Sequence, residues 1–146
     1  MSIKMRVLYS SSKAKVKTIA NEIKREFELS FNAVDSIPPA YSCDKERIVM
    51  LIISLKDEPD DQLRLFCARL NKQGAQNVAL IMDGTEKAAK NVKDLIVKAG
   101  GNFIDDILYI KGGIPFFAKL PDEEKAEVLA WAHRIVEKVQ QSGQAN

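Results

Sequence analysis

The sequence predicts an α/β fold, a three-layer, doubly wound sandwich around a parallel five-stranded sheet. Three observations carry this expectation. Short apolar runs alternate with segments of helical periodicity along the whole chain. The third run, Ile48-Val49-Met50-Leu51-Ile52-Ile53, is uninterrupted, as a central strand buried on both faces requires. The breaks between segments carry residues that open or close helices: Pro59-Asp60-Asp61, Asp83-Gly84-Thr85, Gly100-Gly101 and Pro121-Asp122-Glu123-Glu124.

Each element has its own justification. Met5 to Ser10 is a short apolar strand. Val16, Ile19, Ala20, Ile23 and Phe27 then recur at helical spacing. Leu29, Phe31 and Ala33 alternate with polar neighbours up to Val34, the pattern of an edge strand, and Pro38-Pro39 stops it. The segment Asp35 to Lys45 is poor in helix formers, so the crossover to the third strand is a loop or one short helix. Arg47 to Leu55 is the central strand. Leu63, Phe66, Cys67 and Leu70 line one side of the next helix, and Gly74 follows its end. Asn77 to Met82 is the fourth strand, broken by Asp83-Gly84-Thr85. Val92, Leu95, Ile96 and Ala99 mark a further helix, and Phe103 to Ile110 a fifth strand. The last helix faces Val128, Trp131, Ala132, Ile135, Val136 and Val139 inward, leaves His133 on its polar side, and frays from about residue 140.

A chain of 146 residues is most economically one domain, residues 1–146, with enough core to need neither disulfides nor structural metal. A net charge of +2 with mixed signs argues against nucleic-acid binding. Cys43 and Cys67 form neither a CxxC nor a metal-ligand cluster. No signal peptide and no apolar run of membrane-spanning length is apparent, so a cytoplasmic location is expected.

Right-handed crossovers on both faces allow the strand order 2-1-3-4-5, with ligands expected beyond the carboxyl ends of the strands, at the switch between the first and third. That places Ser10-Ser11-Ser12-Lys13-Ala14-Lys15-Val16 beside Ser54-Leu55-Lys56-Asp57 and Asp83-Gly84-Thr85. A turn that leads from a strand into a helix N-terminus suits an anion, because the first helical N–H groups lack partners inside the helix.

The run Val7-Leu8-Tyr9-Ser10-Ser11 with Lys17-Thr18-Ile19-Ala20-Asn21-Glu22-Ile23 resembles the opening strand, phosphate loop and first helix of the flavodoxin family. Val34-Asp35 and Ile37-Pro38 are similar to the end of that family's second strand. Val78-Ala79-Leu80-Ile81-Met82-Asp83-Gly84-Thr85 is similar to its fourth strand and following flavin loop. The resemblance implies non-covalent FMN, with the phosphate at Ser10 to Val16 and the isoalloxazine between Ser54–Asp57 and Asp83–Thr85. It also implies one-electron exchange with a redox partner protein.

The departures are specific. Lys13-Ala14-Lys15-Val16 replaces the family's Thr-Gly-Asn-Thr, removing the glycine and two hydroxyls while adding two positive charges. Neither flavin loop holds an aromatic residue, so Leu55, Met82, Tyr41, Tyr109 or Phe116 would have to cover the ring. The mildly basic surface also differs from the acidic one typical of the family. The alternative implied by these losses is a cofactor-free scaffold that serves as an interaction module or takes another phosphorylated ligand.

Two other classes fit less well. A phosphoacceptor receiver would find Asp57, Thr85 and Lys111 near three of its positions, but serines stand where its Mg²⁺-binding acids belong. A cysteine-dependent phosphatase needs a cysteine ahead of a phosphate loop, and the Cys43…Arg47 spacing is too short for one. Lys111-Gly112-Gly113-Ile114-Pro115 reads as a turn on the carboxyl side of the sheet.

Overall fold

A computed structural model describes residues 4–10, 13–56, 58–110 and 120–144. Five strands form one all-parallel sheet in the order β2-β1-β3-β4-β5, as the sequence predicts. The strands are β1 (Met5–Tyr9), β2 (Val34–Ser36), β3 (Ile48–Leu55), β4 (Val78–Gly84) and β5 (Leu108–Tyr109). The helices are α1 (Ala14–Glu26), α2 (Asp61–Cys67), α3 (Glu86–Lys98) and α4 (Asp122–Gln144).

The alternation of side chains along β3 divides the core in two. Ile48, Met50 and Ile52 pack with Val16, Ile19, Ala20 and Ile23 of α1 and with Trp131, Ile135 and their neighbours on α4. Val49, Leu51 and Ile53 pack with Leu63, Phe66 and Cys67 of α2 and with Ala88, Ala89, Val92 and Ile96 of α3. Cys67 is fully enclosed there, and burial pushes its thiol up to about 12. Both faces of β3 are therefore covered, which is why its sequence could be apolar throughout.

Two strands differ from expectation. The alternating segment Leu29 to Val34 is not a strand. Glu28, at φ 51, turns the chain after α1, and Phe31–Ala33 forms a 3-10 turn with Phe31 85% exposed. Pairing with β1 begins only at Val34. The fifth strand shrinks to two residues because Asp105-Asp106 interrupts it: Phe103 makes an isolated bridge to Val78, and the Asp106 amide bonds back to the Ile104 carbonyl. Between β2 and β3 the chain forms no helix. At the other end α4 runs on to Gln144, past the point where fraying was expected.

Buried polar groups anchor these irregular stretches. Arg6, only 6% exposed, donates through Nη1 to the Tyr41 carbonyl at 2.6 Å and through Nη2 to the Asn32 carbonyl at 3.4 Å. It thereby ties both ends of the β2 region to β1. Asp106 organises the other edge. Its carbonyl accepts from Trp131 Nε1 at 2.6 Å, and its carboxylate accepts from Arg134 Nε at 3.0 Å and Nη2 at 3.2 Å. The Arg134 hydrogen bonds, with added attraction from Lys138, hold this carboxyl below the ordinary aspartate range.

A depressed carboxyl stabilises the fold above its unfolded pKa of about 3.9, and that contribution disappears as pH falls through the lower folded value. Asp106→Asn should therefore cost about 1 kcal/mol near neutral pH, the scale of a bidentate ion pair at a partly exposed site. The difference from the parent should vanish at pH 2. Urea unfolding at both pH values checks this; an equal deficit at both would leave the ion pair without a role.

Candidate functional site

The carboxyl ends of β1, β3 and β4 meet in one connected polar cluster. Ser10 continues β1 by donating its amide to the Ile52 carbonyl at 3.0 Å, while its Oγ accepts from the Ser54 amide at 2.9 Å. Ser54 and Asp83 are register partners on β3 and β4, on the sheet face that α1 covers. Ser54 Oγ donates to Asp83 Oδ2 at 2.8 Å, and Lys13 Nζ reaches the same oxygen at 2.8 Å. Asp83, 9% exposed, thus has a hydroxyl and an ammonium on one oxygen, which offsets the cost of burying its charge.

The helices that start at this end differ in how they begin. Asp60 caps α2 by accepting from the Leu63 amide, and Thr85 caps α3 by accepting from the Ala88 amide. Lys13 stands at the cap of α1 with no side-chain hydrogen bond to the helix, and the first turn of α1 holds no acid. No acidic side chain in the first turn of α1 therefore offsets its dipole.

The residues expected in the phosphate turn have different placements. Ser10 and Lys13 lie in the cluster. Ala14 is the exposed first residue of α1 and has no positive φ, so alanine at that position carries no backbone strain. Lys15 turns inward: its ammonium lies 2.8 Å from Glu124 Oε1 and 2.9 Å from Oε2, on α4. Val16 packs in the core, and its amide donates to the Lys13 carbonyl at 3.2 Å. Ser11, Ser12, Asp57, Phe116 and the turn Lys111-Gly112-Gly113 lie outside the described residues.

The two ring loops are partly changed from expectation. Asp83-Gly84 does not break β4 but ends it, and Thr85 alone forms the step into α3. Gly84 is required there by close approach, since a Cβ would stand 2.3 Å from the Leu55 carbonyl oxygen. Leu55 is half-buried and Lys56 exposed. Tyr41 lies at the other end of the sheet, where with Lys4, Arg6 and Glu46 it lines a cleft of about 850 Å³. It does not reach the loops that follow β3 and β4. Tyr109 does end beside β4, paired with Met82; burial raises its phenol, with Glu86 and Asp105 adding to the effect.

Beside the carboxyl ends of β1 and β3, toward the start of α2, a hollow of about 180 Å³ is lined by Ser10, Ile37, Ile53, Ser54, Leu55, Asp60, Gln62 and Leu63, and Asp83–Thr85 take no part in it. Enclosed small-molecule sites begin near 300 Å³, so a flavin ring here would lie partly in solvent. Sequence reading missed Glu124 and the Ser54–Asp83 link. Counting β3 and β4 from their ends would have aligned the latter pair; nothing in the sequence marks Glu124 as the partner of Lys15.

The strand order, the parallel pairing and two helices on each face define a flavodoxin-like fold. The fold aligns with that of a flavodoxin from the domain Archaea, covering 94% of this chain and 99% of that one, at 16% identity and a TM-score of 0.64. It aligns similarly with the Streptococcus pneumoniae TIGR4 flavodoxin, covering 92% and 98%, at 15% identity and a TM-score of 0.63. No protein-family model matches the sequence, and neither does any curated protein. At these identities the likeness is one of fold.

Proposed function

We propose that this chain binds FMN non-covalently at the carboxyl end of its sheet and acts as a small redox carrier or redox accessory protein. The observation that carries this reading is the start of α1. It is the helix N-terminus that follows β1 at the strand-order switch, where Lys13 at the cap position makes no side-chain hydrogen bond to the helix and the first turn of the helix holds no acid. The donor set fits a phosphate: the first amides of α1, the Ser10 hydroxyl and the Lys13 ammonium. Ser11 and Ser12 belong to the same proposed turn. Ser54 to Asp57 and Asp83 to Thr85 would flank the ring, with Leu55 offering apolar surface beside the first and Tyr109, next to Met82, beside the second. Bound FMN would supply the electron chemistry, and the protein would set its potential through the charges around it.

A second reading has its own support. Lys13 and Lys15 are both engaged with carboxylates, and the hollow is small for a flavin. These features favour a cofactor-free scaffold that takes another phosphorylated ligand or a protein partner.

Titrating the apo protein with FMN while following flavin fluorescence separates the two. The FMN reading expects saturation at one site and a rise in thermal midpoint with ligand concentration, as linkage requires. An unchanged midpoint and no saturation would leave the scaffold reading standing.

A further inference from the structure

The lysine at the cap of α1 is paired with a carboxylate. Lys13 extends from the α1 cap across the end of β3 to Asp83 on β4, where the carboxylate also holds Ser54. We propose that Asp83 is the positioning residue that sets the anion affinity of this site, by competing with the ligand's phosphate for Lys13. The inference rests on the anion site assigned to the start of α1 above.

The chemistry of the competition is direct. The 2.8 Å contact is a charge-assisted hydrogen bond with the lysine side chain 27% exposed and the aspartate 10%. A phosphate at the α1 N-terminus offers Lys13 the same kind of partner with more charge. Binding there exchanges one ion pair for another, and leaves Asp83 with Ser54 alone beside a dianion. Both changes weaken binding relative to a site whose lysine is unengaged. A ligand without a phosphate makes no claim on Lys13 and is indifferent to the exchange.

Asp83→Asn tests this, because asparagine keeps the shape and an oxygen to accept from Ser54 while removing the charge that holds Lys13. FMN, inorganic phosphate and riboflavin are titrated against the parent, Asp83→Asn, Lys13→Met and the double variant. The expected result is FMN and phosphate binding about tenfold tighter in Asp83→Asn, from one repulsive charge removed and one lysine released at short range. Riboflavin binding should not change, and the gain should shrink to the part due to the removed repulsion when Lys13 is methionine.

Equal FMN affinity in parent and Asp83→Asn would overturn the inference and leave FMN binding intact. So would an equal gain for riboflavin, a gain undiminished by Lys13→Met, or weaker binding, which would make Asp83 a ligand contact. FMN binding by Asp83→Asn alone would support the inference and remove the FMN assignment from the natural chain. Failure of every variant to bind FMN or phosphate would overturn both.

Discussion

Lys15→Met should destabilise the protein by about 3 kcal/mol, the low end of what breaking a buried ion pair costs when one partner is removed. The Lys15 side chain is 9% exposed and that of Glu124 19%, and they join the first turn of α1 to the first turn of α4. Methionine replaces the apolar stem of the lysine but leaves the Glu124 carboxylate enclosed without its ammonium. The double variant Lys15→Met with Glu124→Met should regain most of the loss, because a buried pair replaced by apolar side chains of similar size is close to neutral. Urea denaturation of the three proteins measures this. FMN titration of the folded single variant gives a second readout. If Lys15 acts only as the α1–α4 tie, its FMN affinity stays within about twofold of the parent, whereas a phosphate ligand would lose about tenfold, the scale of a charge-assisted hydrogen bond. Unchanged stability with lost affinity would return Lys15 to the phosphate site.

The case of Lys15 shows where sequence reading ran out. Lys13 and Lys15 look equivalent as charges on a turn, and the helical period even separates them from the buried stripe of α1 only weakly. Their roles divide on what faces them: Asp83 across the sheet end for one, Glu124 on a distant helix for the other. Glu124 has a local explanation of its own, as one of three acids in the first turn of α4, so the sequence does not point to a long-range partner for it. By contrast β3 was legible because burial on both faces leaves a pattern that few other elements produce. The sequence pattern places β2 too early, because a 3-10 turn with Ala33 inward and Phe31 outward imitates the alternation of an edge strand. The turn at Ser10 could be placed from strand order alone. Which of its neighbours would point toward a ligand depended on side-chain reach, which strand order does not encode.

Gly84→Ala should have the second large effect, and it acts on the same end of the sheet. Gly84 is the last residue of β4 and the register partner of Leu55, the last residue of β3. An added Cβ would meet the Leu55 carbonyl oxygen at 2.3 Å and the Met82 sulfur at 3.2 Å. Methionine can shift, but the backbone oxygen belongs to a strand paired with β4 up to Leu55 itself, so the strand ends must part. Forcing a methyl into such a contact costs about 2–3 kcal/mol by the usual scale of overpacking. The damage would not stay local in function. Ser54 and Asp83 are the preceding register pair, and their 2.8 Å hydrogen bond spans the gap that the alanine would widen. Lys13 would then keep Asp83 while Asp83 loses Ser54. A lower urea midpoint, together with faster hydrogen exchange at Leu55 and Thr85 and not at the amino ends of β3 and β4, is the expected result. Wild-type stability in Gly84→Ala would mean that the two strand ends part without cost. In that case the polar cluster they carry could not be a rigid platform for any ligand.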